Sequence, residues 1–163
     1  MKFLKRGLSL VFVFVLALTV AACGSEEAKT KTFELEKNGA TMEVTYTYKG
    51  DKVLKQTSKN KIPFSALGVT TKDQAKAKLQ ATADQYQGIK GLKENITYGD
   101  NEVSETVAID YEKVDMDQVS GISGMMTEGN TKNGISMEKS EKMLKEQGFK
   151  ERKNNLAKKK ALM

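Results

Sequence analysis

Polar and apolar residues alternate with period two near the start of the chain's body. Phe33 and Leu35 alternate with Thr32, Glu34 and Glu36, the pattern of a half-buried strand. Asn38-Gly39 follows and predicts a tight hairpin, because both turn positions need positive φ. Met42, Val44, Tyr46 and Tyr48 then alternate with Thr41, Glu43, Thr45 and Thr47, the clearest strand in the sequence. Lys49-Gly50-Asp51 turns the chain again, and Val53 to about Lys59 reads as a third strand. Its far half is polar, which predicts a place near a sheet edge. The one proline, Pro63, sits in the exit segment Ile62-Pro63-Phe64.

The period then changes. Thr71-Lys72-Asp73-Gln74 has the form of a capping box. Ala75, Leu79, Thr82 (with Ala83) and Tyr86 recur at helical spacing, so a helix running to about Gln87 turns one stripe toward the sheet. Gly88 ends it, and Gly91 predicts a loose connection. Lys93 to Tyr98 is a fourth strand, with Ile96 and Tyr98 on one face. Val103, Val107, Ile109 and Tyr111 share a face of a fifth, with Glu105 as the exception, which places it near an edge or an open end. Asp115 to Val119 opens a short helical turn, Ser136 caps a second helix to about Gln147, and Phe149 returns to the core as a short sixth strand. Hairpins dominate this order. The expected fold is α+β in two layers: a mostly antiparallel sheet of five or six strands with two helices on one face.

The N-terminus follows another rule. Lys2, Lys5 and Arg6 precede an uncharged apolar run from Leu8 to Val20. This is a secretory signal peptide, and the run is short for a spanning helix, which needs about 20 apolar residues. Val20-Ala21-Ala22-Cys23-Gly24-Ser25 resembles the bacterial lipobox, with Val20 where leucine is commonest. The resemblance implies that the Cys23 thiol takes a diacylglyceryl group and that cleavage falls before it. The organisation expected is a cleaved signal peptide over residues 1–22, a lipid-anchored linker over 23–31, one domain over 32–153 and a flexible basic tail over 154–163.

Charge and composition change the picture mainly by exclusion. The chain of 163 residues carries a formal net charge of +6. Its bases concentrate at the ends: Lys2, Lys5 and Arg6, then Lys150, Arg152, Lys153, Lys158, Lys159 and Lys160. The body between them is slightly acidic and supplies no basic patch for nucleic acid. Cys23 is the only cysteine and there is no histidine. No intramolecular disulfide can form, and the commonest general base and transition-metal ligand is missing. No cofactor and no metal site is expected.

The remaining chemistry is sparse. Asp110, Glu112, Asp115 and Asp117 lie close together where the fifth strand ends. Paired carboxylates can do acid/base work or hold a hard cation, but an acidic helix start explains them as well. Met42, Met116, Met125, Met126, Met137 and Met143 read as core filling rather than a copper site. Ser120-Gly121-Ile122-Ser123-Gly124 and Gly88 with Gly91 read as turns, and Asn95-Ile96-Thr97 matches a glycosylation sequon without consequence in a bacterial lipoprotein. Lys158-Lys159-Lys160 reads as a solvated tail, with anionic headgroups as the other reading.

Several ordered blocks carry a family resemblance: Thr45 to Gln56, Ala66 to Lys72, Ile109 to Asp115, Gln118 to Gly124 and Gly148 to Glu151. Over about residues 32–152 the chain resembles the YehR-type bacterial lipoproteins, whose domain has no assigned function. The resemblance implies a lipid-anchored single α+β domain and brings no catalytic residues. The leading expectation is a non-enzymatic binding module of the cell envelope, held to the membrane through lipid on Cys23. It would face an unknown envelope protein or small ligand, outside the cytoplasmic membrane of a Gram-positive cell, or at the outer membrane of a Gram-negative one. The alternatives are a structural or stress-related envelope lipoprotein, and a cell-wall hydrolase using Asp115 and Asp117.

Overall fold

The computed structural model describes residues 27–119, 122 and 134–153. Three strands follow one another by tight turns: β1 (Lys29–Lys37), β2 (Ala40–Lys49) and β3 (Lys52–Pro63). A one-turn helix α1 (Phe64–Leu67) and the longer α2 (Lys72–Tyr86) lead to β4 (Leu92–Tyr98) and β5 (Glu102–Asp110). Then come a short helix α3 (Met116–Val119), the two-residue β6 (Ile135–Ser136), α4 (Met137–Glu146) and the two-residue β7 (Lys150–Glu151). The signal peptide, Cys23 and the basic tail lie outside the described residues, as do Met125, Met126 and most of the Ser120–Gly124 stretch.

All strand pairs are antiparallel, in the order β4-β5-β3-β2-β1-β7, with β6 pairing β3. The hairpin at Asn38-Gly39 has the positive φ that its sequence requires, 54° and 77°. The sheet has seven strands where five or six were expected; the very short β7 follows Phe149, where the sixth was expected, and the very short β6 is the addition. β1 starts at Lys29, three residues before Thr32, so the first strand takes in part of the expected linker.

Two expectations about edges fail. β3 lies between β2 and β5, in the middle of the sheet. β5 is flanked by β3 and β4 from Val103 to Ile109, so Glu105 is not at an edge. Both errors have one cause, the polar residues that β3 and β5 carry at inward positions.

The register divides the sheet into two unlike faces. Phe33, Val44, Ser58, Val107 and Glu94 form one cross-strand row on the helix-covered face. Phe33, Val44, Tyr46 and Val53 pack there with Met137 and Leu144 of α4, and with Phe149. Leu92, Val107 and Ile109 pack with Tyr86 of α2 and with Val114 and Val119. Ala75 and half-buried Leu79 of α2 join Phe64 and Val103 in a third cluster. Both longer helices therefore lie on one face, as period-2 alternation against a single apolar layer requires. The opposite face carries Thr32, Thr45, Thr57 and Ala108 in one row and Thr30, Thr47, Lys55 and Asp110 in the next.

Local caps fix the helix starts. The Thr71 hydroxyl accepts the Gln74 N–H at 3.3 Å, while Gln74 Oε1 accepts the Thr70 N–H at 2.9 Å. The Ser136 hydroxyl accepts the Lys139 N–H at 3.2 Å and donates to Asp51 at 2.7 Å. Asp51 also accepts the Glu138 N–H at 2.8 Å, and that backbone donor, with Ser136, holds its carboxyl below the usual range. The β2–β3 turn thus serves as a remote cap for α4. Asp51→Ala is expected to cost about 1 kcal/mol, read as a lowered urea midpoint with unchanged slope; an unchanged midpoint would remove this role.

Candidate functional site

The helix-covered face is apolar under α4 and again under the end of α2, but a polar band separates the two. β3 presents Gln56, Ser58 and Asn60 to this face, because they sit opposite Tyr46, Val44 and Met42. Glu105 of β5 lies opposite Asn60, and Glu94 of β4 lies opposite Val107. Glu94 and Glu105 are therefore diagonal neighbours on one face of adjacent strands, within side-chain reach.

Hydrogen bonds link much of the band. Gln56 is 6% exposed. It accepts the Tyr111 hydroxyl at 2.7 Å and donates to Ser58 at 3.1 Å. Burial pushes the Tyr111 hydroxyl well above its ordinary value. Asn60 donates to Glu105 at 2.7 Å, and Gln87 at the end of α2 donates to Glu94 Oε2 at 3.3 Å. Glu94 Oε1 is buried and no N–H or hydroxyl of the described residues reaches it. A bare carboxylate oxygen there would be costly. A protonated Glu94 avoids that cost and can donate to Glu105. Glu94 is pushed up to about 7, first by burial, then by the hydrogen bond and charge of Glu105. Tyr86 and Tyr98 flank the pair, and their hydroxyls are raised by burial first and the two carboxyls second.

Glu94 can give up or take a proton near neutral pH. Its titration has a definite sign. Glu94 holds its proton in the fold up to about pH 7 but loses it near 4.5 when unfolded. Stability should fall as pH rises from about 4.5 to about 7 and level off above. After allowance for solvent screening the loss is about 1–2 kcal/mol. Glu94→Gln is expected to flatten that fall and to be the more stable chain at pH 8, measured by urea unfolding; parallel pH profiles for the two would refute a proton held on Glu94.

The candidates chosen from sequence are placed otherwise. Val20, Ala21, Ala22 and Cys23 lie outside the described residues. Asp110 ends β5 and pairs with Lys113 at 2.8 Å. Asp115 accepts the Asp117 N–H at 3.0 Å at the start of α3, the arrangement of a helix start. Among the described residues no three or more Asp, Glu, Cys or His side chains gather as a metal-ligand set. Met137 is buried, and Met42 and Met116 pack half-buried on the same cluster. Gly88 and Gly91 have φ of 76° and 85°, turn geometry rather than a phosphate loop. Glu94 was not singled out by the sequence at all. The available signal was an acidic residue at an inward position on each of two neighbouring strands.

A family model described as a protein of unknown function, DUF1307, matches residues 29–150. An uncharacterized lipoprotein of Listeria monocytogenes, Lmo0207, is 48% identical over 151 residues, 93% of this chain and 98% of the relative. The uncharacterized lipoprotein YehR of Escherichia coli is 43% identical over 152 residues, 93% of this chain and 99% of the relative. The NMR structure of E. coli YehR superposes with a TM-score of 0.68 at 42% identity, covering 79% of this chain and 93% of that one. The protein is thus an α+β domain of the class YehR defines, built on a mostly antiparallel sheet. The chain belongs to the DUF1307 family of YehR-type proteins. An NMR structure from Streptococcus pneumoniae, 18% identical with a TM-score of 0.56, shares the fold.

Proposed function

We propose that this chain is a lipid-anchored module of the bacterial cell envelope, tethered through Cys23 outside the cytoplasmic membrane, and that it binds a ligand rather than transforming one. The observation that carries the tether is the lipobox-like Val20-Ala21-Ala22-Cys23, six residues ahead of β1. The name lipoprotein on the relatives from Listeria and Escherichia supports it. A six-residue span reaches at most about 20 Å, so the domain works close to the bilayer.

The binding reading is supported by what the carboxylates do. Asp115 serves a helix start, and Glu94 and Glu105 face one another within the fold. The face of the sheet opposite the helices offers hydroxyls, lysines and carboxylates fixed in rows, so its ligand is polar. Amine footprinting in intact cells with a membrane-impermeant reagent tests both parts. Labelling of any lysine requires exposure outside the cytoplasmic membrane. Lys59 and Lys61 on the uncovered face are expected to react several-fold more slowly in cells than in purified protein, while Lys72 and Lys76 of α2 react equally in both. No labelling would remove the extracytoplasmic address, and equal rates at all four would remove the bound ligand.

A further inference from the structure

The uncovered face holds a depression of about 570 Å3 next to the Asn38-Gly39 hairpin. Two rows of the register build it. Glu34, Glu43 and Lys59 stand side by side on β1, β2 and β3, with Lys150 of β7 opposite Glu34. Glu36, Thr41 and Lys61 form the next row along the same strands. Residues two apart in a strand share a face, so both rows stand on the side without helices. All of these residues line the depression.

Its charged side chains divide into two sets. Arg152, from just beyond β7, bonds Glu34 at 2.5 Å and also Glu43, and Lys59 lies 3.5 Å from Glu43. Two carboxylates thus meet two cations, and this set is neutral. The second set is Glu36, Lys61 and Lys150. All three are exposed, and their side chains have no hydrogen-bond or ion-pair partner among the described residues. One acid and two bases are therefore left to act on whatever enters.

The register also sets a length. Glu36 and Lys61 flank Thr41, two strand spacings apart, about 10 Å between backbones. An extended dipeptide measures about 7 Å from end to end. With its ammonium on Glu36 and its terminal carboxylate on Lys61, it spans the gap over Thr41. Lys150 is the diagonal neighbour of Glu36 across the β1–β7 pair, within reach of a long side chain. An acidic side chain on the first residue of the peptide would meet it.

We infer that this depression binds a short acidic peptide with free ends, its ammonium held by Glu36, its terminal carboxylate by Lys61 and its acidic side chain by Lys150. The inference rests on the reading that the uncovered face takes a polar ligand, and it names the chemistry of that ligand. Binding is electrostatic and weakens with salt.

The test is calorimetry on the mature chain in mild detergent, with the dipeptide Glu-Ala as probe. Saturable binding is expected at millimolar concentration. N-acetylation of the probe, amidation of its carboxyl, or its replacement by Gln-Ala should each weaken binding by roughly two- to fivefold. Each loss has a matching variant. Glu36→Gln should bind the free and acetylated probes alike, Lys61→Gln the free and amidated probes, and Lys150→Gln should not tell Glu-Ala from Gln-Ala. Lys72→Gln on α2 should keep all three preferences. No binding of Glu-Ala, or variants that lose affinity yet keep the matching preference, overturns the inference. If Lys59 and Lys61 are nevertheless protected in cells, the bound ligand stands and only its chemistry falls; if they are not, both readings fall together.

Discussion

Cys23→Ser should abolish incorporation of labelled fatty acid and either release the protein from the membrane or strand its uncleaved precursor there. The reason is chemical before it is structural. A thiol ionises within reach of physiological pH and its thiolate is a strong nucleophile; a serine hydroxyl offers neither property. Without the transfer, the two acyl chains are lost together. One chain alone binds a bilayer marginally and two hold firmly, at about 0.8 kcal/mol per buried CH2, so the change is all or none. Residue 23 lies six positions before β1, so the folded body should keep its urea midpoint. Normal fatty-acid labelling of the serine variant would sink the reading, and with it the address proposed for the domain.

That proposed address rests on a local pattern: charge, apolar run, small residues, cysteine. The long strands were legible for the same reason. Phe33, Val44, Tyr46 and Val107 alternate with polar neighbours and the structure buries all four. Ser136 and Thr71 announce their helices, and both cap them. Phe149 returns to the core at 3% exposure, just before β7.

The polar band was not legible, and it explains both failures about edges. Gln56, Ser58 and Asn60 occupy inward positions of β3 but carry amides and a hydroxyl. Read along the chain they make the strand polar on both faces, the mark of an edge. Their partners come from elsewhere: Tyr111 for Gln56, Glu105 for Asn60. Those contacts span 55 and 45 residues, beyond the reach of any local pattern. Glu105 misled in the same way. It is unexpected in an apolar row only until Asn60 and Glu94 are set beside it. Such a band lowers the apolar content of the core, and sequences keep features of that kind where something other than stability is served. A proton held near neutrality between two strands and the end of α2 gives this fold a pH response that an apolar row would lack.

Gly91→Ala is the substitution expected to damage the folded domain most, and Gly88→Ala is its internal control. The two glycines share nearly the same backbone, φ 85° and 76°, so an alanine pays the left-handed penalty of about 1–2 kcal/mol at either. They differ in what surrounds them. A Cβ at Gly88 meets nothing within 4 Å. A Cβ at Gly91 meets the Val114 nitrogen at 2.7 Å and the Asp110 oxygen at 3.0 Å. Both obstacles are backbone and neither can swing aside. The Gly91 carbonyl also accepts the Asp110 N–H, and the Val114 N–H is held by the Asp110 carbonyl at 2.9 Å. To admit the methyl, the chain must part where β4, β5 and the 111–119 segment cross. The sequence suggested a loose connection at Gly91; the structure shows the tightest approach among the glycines described. Loss of these contacts adds to the conformational cost, for a total of at least about 3 kcal/mol. Denaturant unfolding of the two variants should therefore show Gly91→Ala at two to three times the destabilisation of Gly88→Ala, and equal losses would mean that φ alone matters and the crossing does not.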